Sequence, residues 1–249
     1  MSPDELDLRV GRASGHGVAP TLVTVAHGTR VAEGNQVAHA VTQHAARRLG
    51  RVPHVASYVE LCDPLLGDVM ADAERPAIVV PLLLSTGFHV KQDLPEALAA
   101  SPAPAVLTRP LGPHPLLAEV MCHRLQVAGA RAGDPVVLVA AGSQDPDALP
   151  QVAEAARLLQ ARWGAPVEVA TVSGRGDRLP EAIERARRHG RVAVAPYLLS
   201  TGFFSRRAHA EAEAAGAACF ADVLGDHPLV TELVVRRYRV ALAAPGMAA

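Results

Sequence analysis

The chain is expected to be an α/β protein of two tandem doubly wound units, each a four-stranded parallel sheet flanked by helices. Two observations predict this. The sequence is written twice: TLVTVAHGT from Thr21 returns as PVVLVAAGS from Pro135, VPLLLSTGFH from Val80 as APYLLSTGFF from Ala195, and LGPHPLL from Leu111 as LGDHPLV from Leu224. Offsets of 114, 115 and 113 residues keep the copies collinear, which marks a duplication. Within each copy, short apolar runs alternate with Ala/Leu-rich segments of helical spacing, the pattern of βαβ units.

The elements follow in order. Runs at 21–26, 53–59, 76–83 and 104–108 read as strands, and segments 34–49, 64–73, 93–100 and 114–128 as helices. In the second copy the strand runs fall at 135–140, 166–172, 191–197 and 216–221. Continuous apolar runs suit strands covered on both faces, hence a parallel sheet. The composition is 49% hydrophobic but only 3% aromatic, so the core must be Ala, Val and Leu, which favours close helix–sheet packing. The boundary between copies is the Gly/Ala/Asp stretch near 129–134. The division is therefore a loose tail over 1–20, a site-bearing unit over 21–130 and a repeat over 134–245. Asp93 and Pro95 read as a helix start, Asp as N-cap and Pro in the first turn.

Composition excludes several functions. A net charge of −1 provides no basic field for nucleic acid or an anionic membrane. Of 24 basic residues only Lys91 is lysine. Cys62, Cys122 and Cys219 stand far apart without a C-x-x-C pair, against a disulfide framework or zinc ribbon and in keeping with a reducing cytoplasm. The first 20 residues carry acidic residues and glycines rather than the apolar core of a signal peptide. No apolar run approaches the 18 or so residues of a membrane span.

In open parallel sheets the ligand site lies beyond the carboxyl ends of the strands. Three candidate metal ligands fall there: His27 in VAHGTR, Glu60 in SYVELCDP and His89 in STGFHVKQDLP. Two imidazoles and a carboxylate suit a divalent ion such as Fe, Co, Ni or Zn, and three protein ligands leave coordination positions open. The second copy acts as an internal control. It places Ala141 opposite His27, Gly174 opposite Glu60 and Phe204 opposite His89, while the surrounding glycines and strands persist. Asp93 likewise faces Ala208. The same control assigns His114 and His227, which recur in L-G-x-H-P, to helix entry, with Pro at the first helical position. Cys62, close to Glu60, reads as a small apolar residue. Ser85, Thr86 and Gly87, repeated at 200–202, offer either backbone N–H groups to an anion or a turn that needs glycine.

AHGTR near the start, V-E-x-x-x-P after the second strand and P-L-x-L-x-x-G-x-H-x-x-x-D-x-P after the third resemble the sirohydrochlorin chelatases, class II tetrapyrrole chelatases. The resemblance covers 21–128 well, and the second half matches the fold without the site motif. AHGT stands where many relatives have HGS, and Thr29 keeps the hydroxyl. It implies insertion of a divalent metal, Fe²⁺ slightly favoured over Co²⁺, into sirohydrochlorin in sirohaem or cobalamin synthesis. The metal is then a substrate, and no cofactor is tightly bound. His27, Glu60 and His89 would hold the metal and carry catalysis, the imidazoles taking up pyrrole protons. The substrate's many carboxylates call for cations, which Arg30, Lys91, Arg206 and Arg207 would supply beside the Ser85–Gly87 turn. Pairing of the halves within one chain implies a monomer. Two other readings are a non-catalytic metal or tetrapyrrole carrier and a metal-dependent hydrolase. The hydrolase lacks a G-x-S-x-G or Walker-type motif.

Overall fold

A computed structural model describes residues 19–86 and 92–244. The expected tail over 1–20 therefore lies almost wholly outside the described residues, as do Gly87, His89 and Lys91.

The first unit runs β1 (Thr21–Ala26), α1 (Ala32–Arg48), β2 (His54–Tyr58), α2 (Leu66–Ala71), β3 (Ala77–Pro81), α3 (Asp93–Ala99), β4 (Ala105–Leu107) and α4 (Pro115–Val127). The second runs β5 (Val136–Ala140), α5 (Ala148–Trp163), β6 (Val167–Thr171), α6 (Leu179–Ala186), β7 (Ala193–Tyr197), α7 (Phe203–Ala214), β8 (Cys219–Phe220) and α8 (Pro228–Leu242). Each sheet is parallel throughout, in the orders β2-β1-β3-β4 and β6-β5-β7-β8. Strands β1, β3, β5 and β7 are buried almost end to end, which is why their sequences lack polar alternation.

Helix entry follows the repeated histidines. The His114 Nδ1 accepts from the Leu116 N–H at 3.1 Å, and the His227 Nδ1 accepts from Leu229 N–H at 3.2 Å. Each ring satisfies one orphan donor of the first turn, and the following Pro needs no partner. Their recurrence is structural, as the internal comparison indicated. Asp93 proves to be the first residue of α3, with Gln92 at the N-cap position.

The two sheets are separate, but their largest hydrophobic core is shared. Val41, Leu117, Val120 and Met121 of the first unit join Val152, Leu159, Leu233 and Val234 of the second in one buried cluster. Helix α4 packs on α5 and α1 on α8, so first and last helices pair crosswise between units. Polar ties cross the same joint. Tyr238 donates to the Pro20 carbonyl at 2.6 Å, Arg124 donates to the Leu224 carbonyl at 3.1 Å, and Arg48 pairs with Glu232. Among the described residues, no helix is long and apolar enough to cross a membrane. Cys62, Cys122 and Cys219 are free thiols.

Candidate metal centre and crevice

In the order β2-β1-β3-β4 the chain leaves β1 in one direction and returns on its other side, so the ends of β1 and β3 flank the topological switch point. His27 directly follows β1. Glu60 lies two residues beyond β2, whose last residue Tyr58 pairs with Ala26. The two backbones are stapled, with Glu60 N–H donating to the His27 carbonyl at 3.1 Å. Their side chains meet as well, His27 Nδ1 lying 3.6 Å from Glu60 Oε1, each side chain about half exposed at 47% and 50%. Two of the three expected ligands are thus brought together at the strand ends, and His89, expected beyond β3, lies outside the described residues. Among the described residues there is no cluster of three or more His, Cys, Asp or Glu able to hold a metal.

The turn that follows His27 and packs on Glu60 depends on glycine. Gly28 has φ +96°, and a Cβ there would overlap the Glu60 carbonyl oxygen. Asn35, in the first turn of α1, braces the same loop. Its Nδ2 donates to the Thr29 carbonyl at 2.7 Å, and its Oδ1 accepts from Thr29 N–H at 3.1 Å. Tyr58 donates to the Asn35 carbonyl at 3.1 Å, and burial followed by the nearby Cys62 pushes its phenol up to about 12. It is a fixed donor, not a titrating base. Sequence reading missed Asn35, although the repeat carried the signal: the second copy has Leu149 at that position. Cys62 is half-buried against the core, which supports the apolar reading.

Strand register corrects one pairing between the copies. Tyr58 pairs with Ala26 and Thr171 with Ala140, and Ser173 N–H donates to the Ala141 carbonyl as Glu60 does to that of His27. Ser173, not Gly174, therefore stands opposite Glu60. The local offset is 113, a difference that the flanking matches at 114 and 115 concealed. Gly174, at φ +64°, stands instead opposite Leu61, at φ +71°. Ala141 and Ser173 leave the second unit without a ligand pair at this corner.

The carboxyl edges of both sheets open onto one crevice of about 990 Å³. It is lined by the segments after β1, β3, β5 and β7, including His27, Arg30, Ser85, Arg206 and Arg207. The Arg30 and Arg206 side chains make no ion pair or hydrogen bond among the described residues, whereas Arg207 Nε donates to Glu211 at 2.8 Å. Ser85 and Thr86, and the Ser-Thr-Gly turn at 200–202, are only partly open to a ligand. Thr86 N–H donates to Gln151 Oε1 at 2.8 Å, and its hydroxyl bonds the same amide. In the second unit, Gly202 N–H donates to Ser205 Oγ at 2.9 Å. Thr86 thus serves the joint between units, while Ser85 faces the crevice. Tyr197 donates to the Leu84 carbonyl at 3.0 Å across the crevice floor, and burial holds its phenol far above the ordinary value. Gly34 is needed where α1 passes the second unit, since a Cβ would overlap the Thr201 carbonyl oxygen.

Fold and site together define a duplicated parallel α/β protein with a His–Glu pair at one strand edge, facing a strand edge that lacks one. The CbiX family model matches residues 21–128 and again 135–241, and the chain belongs to that family. The sirohydrochlorin ferrochelatase of Priestia megaterium is 29% identical over 245 residues, covering 90% of this chain and 91% of the relative. The sirohydrochlorin cobaltochelatase of Methanopyrus kandleri is 26% identical over 137 residues, covering 43% of this chain and 95% of the relative. Among solved structures, SirB from Bacillus subtilis with Fe³⁺ superposes with a TM-score of 0.77 at 25% identity, over 90% of this chain and 96% of that one.

Proposed function

We propose that the chain is a sirohydrochlorin chelatase, inserting Fe²⁺, slightly favoured over Co²⁺, into sirohydrochlorin. The observation that carries this reading is the His27–Glu60 pair, whose His27 lines a crevice between two units, in a member of the CbiX family. His27, Glu60 and His89 are the proposed ligands of the metal substrate. As the ion enters, the macrocycle must release two pyrrole protons. The His27 and His89 imidazoles are the proposed acceptors of those protons, and Glu60 serves as third ligand or proton relay. His27 and Glu60 are half exposed, and a set of three ligands with open positions would hold the ion loosely enough to release it, where a closed four-ligand cage would retain it.

The substrate's carboxylates meet Arg30 and Arg206, which are open toward the crevice together with Arg207 and Ser85, and Lys91 and Gly87 are proposed as further substrate contacts. Thr86 contributes through the joint with Gln151. The division proposed is a site-bearing unit over 21–130 and a substrate-facing repeat over 134–245. Pairing of α4 with α5 and α1 with α8 supports action as a monomer, and three free thiols fit the cytoplasm.

The test is anaerobic mixing of the protein with sirohydrochlorin and Fe²⁺, Co²⁺ or Ni²⁺, following macrocycle absorbance. Acceleration over the spontaneous rate is expected with Fe²⁺ and Co²⁺. No acceleration with any ion would remove the chelatase reading, and stoichiometric binding without turnover would make the chain a carrier.

A further inference from the structure

Six large apolar side chains are exposed among the described residues: Leu61, Val127, Phe203, Phe204, Val240 and Leu242. Val127, Val240 and Leu242 sit near the ends of α4 and α8. The other three all line the crevice, Leu61 from the first unit and the two phenylalanines from the second. In a chain this poor in aromatics, two neighbouring exposed phenylalanines in the crevice call for an explanation. They open α7, their rings 5.5 Å apart and edge to face at 77°. Phe203, 66% exposed, supports no core despite belonging to the repeated STGF motif. Phe204, 38% exposed, stands where the first copy has His89.

Leu61 adds an independent observation. It is 47% exposed and sits at φ +71°, a left-handed conformation that bulky L-residues rarely adopt. The second unit fills the equivalent position with Gly174 at φ +64°, so the turn itself calls for glycine. A strained leucine that packs into no core, held beside Glu60, points to a contact with something absent from the fold. Charge narrows the occupant. Arg30 and Arg206 line the same crevice without an ion-pair partner among the described residues, so the ligand is apolar on its faces and anionic at its rim. The crevice volume of about 990 Å³ lies at the upper end for small-molecule pockets, as a large flat ligand requires.

We propose that Leu61, Phe203 and Phe204 form an apolar clamp on the faces of the metal-free polycarboxylate macrocycle, presenting its centre to the His27–Glu60 corner. This rests on the chelatase reading and assigns the second unit a substrate-gripping role in place of its lost ligands. Aromatic faces prefer stacked or edge-on contact with a flat π-system, and such contacts add to simple burial.

The test measures anaerobic binding of metal-free sirohydrochlorin by fluorescence, with Co²⁺ binding in the absence of macrocycle as the control. Phe203→Ala and Phe204→Ala should each raise Kd about fivefold. Phe204→Leu should fall between, and Co²⁺ binding should be unchanged. Leu61→Gly should weaken macrocycle binding while Tm stays level or rises, because glycine relieves the strain. A fall in Tm with unchanged Kd would make Leu61 a structural residue and overturn the clamp as drawn. If the wild type binds and metallates the macrocycle but the double phenylalanine variant keeps its Kd within twofold, the clamp is overturned and the chelatase reading stands. If the wild type binds no macrocycle and accelerates nothing, both fall together.

Discussion

The two units share a strand order, a helix-entry device and a glycine turn, yet differ at one corner. In the first unit His27 and Glu60 meet at 3.6 Å beyond β1 and β2. In the second, Ala141 and Ser173 occupy those places, and the Ser173 hydroxyl donates back to the Ala141 carbonyl at 2.8 Å. Scaffold residues are those both units need in order to fold. The His27–Glu60 pair occurs in one only. The difference teaches that the fold does not require the pair, since the same backbone forms without it.

The largest expected effect tests that asymmetry directly. His27→Ala or His89→Ala should lower metal insertion by about a hundredfold or more while circular dichroism and Tm hold. Glu60→Ser, which installs the second unit's residue, should lower it by about tenfold or more. Turnover that survives any of these would move the site away from the strand ends.

A second comparison uses the shared turn. Gly142 has φ +92° and a Cβ there would overlap the Ser173 carbonyl, just as Gly28 confronts Glu60. Gly28→Ala and Gly142→Ala should each cost about 2–4 kcal/mol in urea unfolding. Only Gly28→Ala should also change metal affinity, because only there does the turn carry a ligand. Equal effects on metal binding would break the claim that the second unit holds none.

A smaller effect separates the two arginines of α7. Arg206→Gln should raise Kd for sirohydrochlorin about threefold, and Arg207→Gln should change it less, since Arg207 is engaged with Glu211. The reverse order would place the carboxylates elsewhere along the helix.

The smallest effect concerns the repeated helix-entry histidines. His227 touches His123 of the first unit, Nε2 to Nδ1 at 3.2 Å. Burial, then the neighbouring His123 and Arg124, hold its proton affinity below the ordinary histidine value. The unfolded chain therefore takes up this proton first as pH falls. The stability involved is full above the ordinary histidine range and declines as pH drops through it toward the lower folded value. His123→Gln removes one neighbouring charge and should reduce the fall in Tm between pH 7 and 5 by about 1 °C. An unchanged profile would show that this contact between units carries no charge coupling.

Much of this protein was determined by local sequence. Apolar runs, their helical intervals and the repeat marked all eight observed strands to within a few residues, because period and burial are written into consecutive side chains. The meeting of His27 and Glu60 at the ends of β1 and β2 was legible for the same reason: a strand end is a sequence position. Tertiary structure decided the rest. That Glu60 faces Ser173 depends on hydrogen-bond register, which a one-residue shift in offset alters without disturbing the pattern. That Asn35 braces the His27 loop, that Gln151 occupies Thr86, and that Leu61 and the two phenylalanines share a crevice all depend on packing that no local period records. Such contacts join residues far apart in the chain, and the burial of the α1–α8 and α4–α5 faces sets them.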